Sequence, residues 1–314
     1  MGTLDETRNA PGTFFTHSLS LHHTYHRCLL SSFSEYYYKT GKLAGQDKKN
    51  FGAIETDVVE ELSSSPNLYS TSPVGPLTDS HSRKTLIYLI LTLNQAYPDH
   101  EYTVLTRSTQ KAKEKLPASV TLLTCLSELE SLDMFDAVIN LAGEPIIDKR
   151  WTDQQKRTIC DSRWDITQQL VDLFRVSLSP PSVFLSGSAI GVYSDHGDLL
   201  ITERDVATNN DFASSVCRQW EEIARQAEPY TRVVYLRTGI VLDSEGGALA
   251  KMLTPFKLYL GGRIGNGRQF MSWIHIQDMI GAIEFLLNNT DINGAVNMVA
   301  PEAVTNQQFT QALA

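Results

Sequence analysis

The sequence predicts an α/β fold built on a doubly wound parallel sheet. From Arg83 onward, helical and strand-like patterns alternate, which is the order that such sheets produce. Two short apolar strands also end in small or hydroxyl-bearing residues, at positions 140–143 and 186–188. Because ligands bind beyond the carboxyl ends of the strands in such sheets, the residues that follow each strand are the candidates for function.

Composition narrows the class of protein. With 314 residues, of which 42% are hydrophobic, the chain can bury a large core. A net charge of -9 argues against a nucleic-acid partner or an anionic membrane surface, because both need clustered Lys and Arg. The longest apolar run, 86–91, is too short to cross a bilayer, and the cysteines form no C-x-x-C pair. We therefore expect a cytoplasmic protein with a small-molecule substrate.

Residues 1–82 show little helical or strand periodicity and are rich in Ser, His and Tyr. We predict a poorly structured extension there. His22, His23 and His26 have no acidic or Cys neighbour, so they predict no metal site.

The regular elements begin at Lys84 with an apolar helix that ends before Pro98. A strand over 102–106 and a charged surface helix over 110–116 follow. The next strand is a short apolar run with a β-branched core, and it leads into Asn140.

A long helix comes next, and Thr152 with Gln155 forms a capping box at its start. Pro180 and Pro181 end it, and a buried strand covers 182–185. Residues at helical spacing predict its apolar face, namely Ile159, Trp164, Ile166, Leu170, Leu173 and Phe174.

The alternation continues with a helix over 217–227 and a strand over 233–236. The glycine-rich part that follows predicts loops over a crevice. A strand over 270–276 comes next, and Asp278 is placed to cap a helix over 279–287.

Arg107 directly follows the strand over 102–106, where a nucleotide-binding sheet meets the adenosine ribose. An acidic residue there accepts from a free 2'-hydroxyl, whereas an arginine pairs with a 2'-phosphate. The position therefore favours NADP over NAD. A solvated arginine at a strand end is the alternative.

Ser186 and Ser188 leave a buried strand where a substrate carbonyl or alcohol would lie. A serine hydroxyl is a weak base and needs a neighbour to move a proton at neutral pH. The alternative is a turn in which these hydroxyls bond the backbone.

Several ordered motifs in residues 83–314 resemble the atypical, extended-type short-chain dehydrogenase/reductases. Specifically, they resemble the "epimerase family" group, which is related to sugar-nucleotide epimerases. The motifs are Asn-Leu-Ala-Gly-Glu-Pro-Ile from Asn140, Lys149-Arg150-Trp151, Ser162-Arg163-Trp164, Ser186-Gly187-Ser188-Ala189, Trp220-Glu221, Leu236-Arg237-Thr238-Gly239, Gly265-Asn266-Gly267-Arg268-Gln269 and Trp273-Ile274-His275.

This resemblance implies a Rossmann-like dinucleotide-binding domain over 83–236 and a partial substrate-binding lobe over 237–314. It implies that Ser188 is the active-site serine and that Tyr193 lies nearby on the substrate side. The implied cofactor residues are Arg107, Ser108, Asn140, Leu141, Ala142, Gly143 and Ser186. The implied substrate residues are Arg150, Trp151, Gln269 and Trp273.

The sequence departs from this family in its chemistry. Classical members use a Tyr-x-x-x-Lys pair in which lysine lowers the tyrosine pKa. Here the corresponding region, 211–217, carries Phe212, which has no proton to give. The group that the chain resembles also lacks this pair.

The sequence also departs at both ends of the resemblance. No glycine lies between Gly75 and Gly143, so the expected phosphate-binding turn at 77–83 has none, and Asp79 would repel phosphates. No first strand is recognisable. The resemblance stops at Ala314, before the rest of the family's substrate lobe. We therefore expect a sheet without its first strand and a truncated lobe.

These observations favour an NADP-linked oxidoreductase or epimerase-like protein that acts on a small polar, sugar-like molecule. Two alternatives stay open. The chain could be a non-catalytic NADP-binding or sensing module, or an inactive product that lacks its phosphate-binding loop. The substrate and the oligomeric state do not follow from the sequence.

Overall fold

A parallel sheet of eight strands lies at the centre of the described residues. The structure is a computed structural model, and it describes residues 27–30, 49–54, 81–146, 149–205, 210–243 and 247–314. The strands are β1 (Arg27–Leu30), β2 (Lys49–Ile54), β3 (His100–Leu105), β4 (Thr121–Leu123), β5 (Ala137–Asn140), β6 (Val183–Ala189), β7 (Arg232–Thr238) and, after three short strands given below, β11 (Gly294–Met298). The predicted doubly wound parallel sheet is confirmed.

The order across the sheet is β11-β7-β6-β5-β1-β2-β3-β4. Both β1 and β2 come from the predicted extension, and each pairs in parallel with β5 and with β3. The structure therefore corrects the prediction of a missing first strand, because these two segments occupy its place. An empty place there would leave two rows of buried backbone N–H and C=O groups unpaired.

Helices cover both faces of the sheet. On one face α1 and α6 pack against a cluster that includes Leu86, Val104, Leu185 and Ile283. On the other, α3 and α4 enclose a second cluster. The helices are α1 (His81–Ala96), α2 (Thr109–Lys115), α3 (Asp153–Val176), α4 (Phe212–Arg225), α5 (Gly247–Lys257), α6 (Ile276–Asn288) and α7 (Asn306–Leu313). None of the described helices is long and apolar enough to cross a membrane.

The long helix α3 begins as predicted, since the Thr152 hydroxyl accepts a hydrogen bond from the backbone N–H of Gln155. Its buried face differs from the prediction. Arg163 and Thr167 are buried, whereas Trp164 is only partly buried, and so are Ile166 and Leu173. A polar stripe of α3 therefore faces the interior near the carboxyl edge of the sheet.

The smaller lobe contains two short sheets. In one, β8 (Ile240–Asp243) pairs in parallel with β10 (Trp273–His275), and in the other, β9 (Phe270–Met271) pairs antiparallel with β12 (Val304–Thr305).

Two predictions for this lobe are corrected. The glycine-rich part predicted as loops contains the helix α5, because helix-forming Ala, Leu, Lys and Met follow Gly247. The cap of α6 is His275 and not Asp278, since Nδ1 of His275 accepts from the backbone N–H of Gln277 at 3.3 Å. The predicted domain boundary at residue 236 falls within β7 and stays a prediction.

Candidate functional site

An apolar cavity of about 270 Å³ opens beyond the carboxyl ends of β5, β6 and β7. Its walls come from the segment after β5, the end of β6, the facing sides of α3 and α4, and the start of β8. Most lining side chains are apolar. The polar exceptions include Glu144, Arg163, Ser188 and Thr238, and such groups can orient a ligand there.

Ser188 connects this cavity to a buried polar network. Its hydroxyl donates to Oε1 of Glu221 at 2.6 Å. Arg237 holds both oxygens of that carboxylate, with Nε 2.9 Å from Oε1 and Nη2 2.9 Å from Oε2. Ser188, Glu221 and Arg237 are all at most 9% exposed. The carboxylate behind Ser188 is therefore fixed in place by a bidentate arginine.

Tyr193 lies at the far end of the same network. Its hydroxyl accepts from Nη1 of Arg237 at 2.9 Å and donates to Oδ1 of Asn297 at 2.6 Å. Burial raises the pKa of Tyr193, although the bond from Arg237 opposes this. Burial alone would lower the pKa of Arg237, but its contacts with Glu221 and Tyr193 outweigh that effect and raise it. Tyr193 is not among the residues that line the cavity.

Arg163 is the cavity's buried cation. Its guanidinium donates to the backbone carbonyls of Ile159 at 2.9 Å and Glu144 at 3.0 Å. The ring of Trp220 lies 5.3 Å from Cζ. A Cβ on Gly143 would stand 2.7 Å from the same atom, so a larger residue there would force the Arg163 side chain to move. Burial lowers the pKa of Arg163 to about 10.

The N-terminal end of α4 gives the cavity an apolar wall. Phe212 and Val216 have the spacing of the family's Tyr-x-x-x-Lys pair, and both line the cavity. Trp151 stands edge-on to Phe212, with ring centroids 5.1 Å apart. Cys217 is buried here, and burial raises the pKa of its thiol to about 11. None of these groups is a proton-transfer group at neutral pH.

The predicted cofactor residues after β5 have structural roles as well. Asn140 is fully buried, and its amide donates to Oγ1 of Thr167 at 2.9 Å while its oxygen accepts from the backbone N–H of Ala142 at 3.1 Å. Leu141 lines the cavity. Ser186 pairs with Asn140 across β5 and β6 and is fully buried. Asn140 therefore shapes the turn that bounds the site.

Arg107 and Ser108 follow β3 at the same edge of the sheet, because all strands run parallel. Arg107 is exposed, and the backbone N–H of Ser108 donates to Oγ1 of Thr106 at 3.2 Å. The places of β1 and β2 separate them from β5. Neither residue reaches the cavity.

The four predicted substrate residues are not brought together. Trp151 lines the cavity, with its indole N–H donating to the carbonyl of Ile146 at 2.8 Å. Arg150 is exposed, and so is Gln269, whose amide donates to Ile264 O. Trp273 is half-buried on β10, outside the cavity lining, and its indole N–H has no hydrogen-bond partner among the described residues.

Three functional candidates were not selected from the sequence. Glu221 and Arg237 entered only as parts of the family motifs Trp220-Glu221 and Leu236-Arg237-Thr238-Gly239. Arg163 entered the same way. A helical stripe that allows polar residues would have found it, since Ile159, Arg163 and Thr167 are four residues apart.

A parallel sheet with this strand order and a cavity past its carboxyl edge defines a doubly wound, Rossmann-like α/β protein. The family model described as NAD dependent epimerase/dehydratase family matches residues 88–298. The chain belongs to this family. A second family model, described as Maf1 regulator, matches residues 31–138, and part of that match lies outside the described residues.

Two staphylococcal relatives support the assignment. An epimerase family protein of Staphylococcus aureus strain MW2 is 41% identical over 217 residues, which are 69% of this chain and 72% of the relative. One from Staphylococcus haemolyticus is 38% identical over 219 residues, with the same two coverages.

Solved structures agree with the fold. The human epimerase family protein SDR39U1 (isoform 2), solved with NADPH, is 33% identical with a TM-score of 0.63, over 72% of this chain and 75% of that one. A nucleoside-diphosphate sugar epimerase from Corynebacterium glutamicum is 31% identical with a TM-score of 0.61, over 73% of this chain and 47% of that one.

Proposed function

We propose that this chain is an NADP-linked oxidoreductase or epimerase-like protein that acts on a small polar, sugar-nucleotide-like molecule. The observation that supports it most is Ser188, which stands in the cavity wall with its hydroxyl directed to Glu221. We also propose that it works in the cytoplasm, without a nucleic-acid or membrane partner.

The residues at the carboxyl edge fit a dinucleotide. Leu141, Ala142 and Gly143 offer backbone and small side chains beside the cavity, and Arg107 offers a guanidinium for a 2'-phosphate. Bound NADP supplies or accepts a hydride. The segment that would meet the pyrophosphate, before α1, lies largely outside the described residues.

Ser188 and Glu221 can replace part of the missing Tyr-x-x-x-Lys chemistry. A substrate hydroxyl that donates to Oγ of Ser188 can pass its proton to that oxygen while the Ser188 proton moves to Glu221. The substrate oxygen would become a carbonyl oxygen as its carbon lost a hydride, which NADP would accept when bound. In the reverse direction Ser188 would return the proton to that oxygen. Arg237 keeps the carboxylate oriented toward Ser188 throughout.

The other predicted roles need separate support. Tyr193 would act by holding Arg237 and Asn297 and not by touching substrate. Trp151 contributes an aromatic wall to the cavity. Arg150, Gln269 and Trp273 stay predictions, because a substrate would have to extend beyond the cavity to meet them.

A second candidate is a non-catalytic NADP-binding or sensing module. The apolar pair Phe212 and Val216 favours it, since these residues replace both the proton donor and the cation at the required spacing. The chain would then bind the cofactor and a small ligand without turnover. A chain that binds neither would correspond to the inactive alternative.

Calorimetric titration with NADPH and with NADH tests the cofactor. We expect NADPH to bind more tightly, and Arg107→Glu to weaken NADPH about 10- to 100-fold while leaving NADH unchanged. Lys113→Glu, an equal charge reversal on the exposed side of α2, is the control for general electrostatics. Equal affinity for the two cofactors would remove the role given to Arg107.

Turnover separates the two candidates. Hydride transfer is followed as nicotinamide absorbance across sugar nucleotides and aldehydes, with the wild-type chain and Ser188→Ala. Turnover that Ser188→Ala abolishes supports the enzyme. NADPH binding with no turnover on any substrate favours the sensing module, and no binding at all contradicts both.

A further inference from the structure

Arg163 places a positive charge in the wall of an otherwise apolar cavity. Its side chain belongs to a residue that is only 6% exposed. Both carbonyl acceptors of its guanidinium, on Ile159 and Glu144, are neutral backbone groups. Among the described residues, Arg163 forms no ion pair. Burying a cation without an anionic partner destabilises the protein, and an anion that pairs with the cation reduces this cost in free energy.

The surrounding groups do not supply that anion. The carboxylate of Glu144 attracts Arg163 through space and opposes the lowering of its pKa, but its hydrogen bonds come from Nζ of Lys149 at 3.1 Å and Nε2 of Gln155 at 3.1 Å. The nearest thiols, Cys160 and Cys217, are neutral at pH 7, because burial raises the pKa of both. Among the described residues, the guanidinium of Arg163 therefore has no anionic hydrogen-bond partner.

We infer that the cavity takes a substrate with a single carboxylate group, which pairs with Arg163. A planar carboxylate matches the guanidinium fork, and one negative charge balances one positive charge. A phosphate dianion would bring a second charge into apolar walls whose described lining residues include no second cation. The inference rests on the proposed function, because it names the substrate class of the same cavity.

Benzoate and benzamide test this directly, because they share a shape and differ in charge. The full chain is titrated with each by calorimetry, without cofactor. We expect benzoate to bind at least about tenfold more tightly than benzamide. Arg163→Met should abolish this preference, and Arg163→Lys should retain part of it. Arg175→Met, at an exposed arginine of the same helix, should leave it unchanged.

Two results would overturn the inference: equal affinity for both ligands in the wild-type chain, or a benzoate preference that survives in Arg163→Met. Circular dichroism verifies that the variants are folded. The cofactor titration is a separate measurement. NADPH binding without a benzoate preference removes only the carboxylate site, whereas a benzoate preference without NADPH binding removes the proposed function and keeps the site.

Discussion

Two buried arginines differ in their partners: Arg163 lines the cavity, and Arg237 lies behind Glu221, the partner of Ser188. Arg237 is 9% exposed and holds Glu221 through two hydrogen bonds. Arg163 is 6% exposed, and its hydrogen-bond acceptors among the described residues are all neutral: two backbone carbonyls and the hydroxyl of Ser162. The pKa of Arg237 is raised by its contacts despite burial, whereas burial lowers the pKa of Arg163 to about 10.

The comparison indicates that the charge of Arg237 has a structural role, whereas the charge of Arg163 is available to a ligand. The Arg237 pair is complete within the protein, so it holds Ser188 and Tyr193 in place. Arg163 is stabilised incompletely, and a ligand can supply what is missing. Four substitutions test whether this contrast holds.

The largest effect is expected from Glu221→Ala, because it leaves Arg237 buried without its carboxylate. The free energy of unfolding should fall by about 3–5 kcal/mol in urea denaturation. Glu222→Ala is the matched control, since that side chain is 61% exposed in a surface pair with Arg225, and it should cost at most about 1 kcal/mol. Equal losses in the two variants would contradict the structural role of the Arg237 pair.

The thiol of Cys217, which interacts with Arg163, should make the stability of the protein depend on pH. Burial raises its pKa from 9.0 to about 11, although Arg163 opposes the shift. Because the folded-state pKa is the higher one, this stability is fully present below pH 9 and is lost as the pH rises toward 11. The loss should approach about 2–3 kcal/mol.

Urea denaturation between those pH values measures it. The free energy of unfolding of Cys217→Ala should fall less steeply with pH than that of the wild-type chain. For Cys125→Ala, at an exposed thiol, it should fall as steeply as for the wild-type chain. Identical slopes for all three proteins would count against the buried thiol.

Gly187→Ala should disturb the aromatic cover of Arg163. A Cβ there would lie 2.6 Å from Cη2 of the buried Trp220 ring, and we expect a loss of about 1–3 kcal/mol in thermal or urea unfolding. Gly191→Ala is the comparison, since its nearest neighbouring atom would be 3.5 Å away. If both variants were equally stable, the close packing of Trp220 against β6 would be in doubt.

The smallest effect is expected from Arg163→Met. Since no carboxylate is left unpaired, stability should change by at most about 1 kcal/mol in either direction. Arg237→Met, which leaves Glu221 buried alone, should be several-fold more destabilising in the same urea assay. A loss for Arg163→Met as large as that for Arg237→Met would erase the contrast between the two arginines.

Much of the fold could be predicted from the sequence, because the helices and strands follow local patterns of apolar residues. The strand predicted at 102–106 is β3, to within two residues at its start and one at its end, and the helix predicted at 110–116 is α2, to within one residue at each end. The place of the first strand could not be predicted. β1 and β2 have four and six residues, as do the predicted strands β5 and β3. They lie, however, in a part of the sequence that shows little periodicity, and their pairing with β3 and β5 is not visible in the sequence.

The site was less predictable than the fold. The turn at Asn140 and the hydroxyl of Ser188 could be anticipated, because strand ends are visible in the sequence. Arg163 and Glu221 could not, since hydrophobic periodicity treats a charged residue as a surface residue. Their burial depends on partners that lie 19 and 16 residues away, Glu144 and Arg237.

The pairing of β6 with β7 places Ser188 directly opposite Arg237. A slip of one residue between these strands would turn one set of side chains to the other face of the sheet. Arg237 would then lose Glu221, which α4 presents on one face only. The ion pair between Arg237 and Glu221 therefore forms only when β6 and β7 pair in the native register. The contact that orients Ser188 thus also stabilises this register over one shifted by a residue.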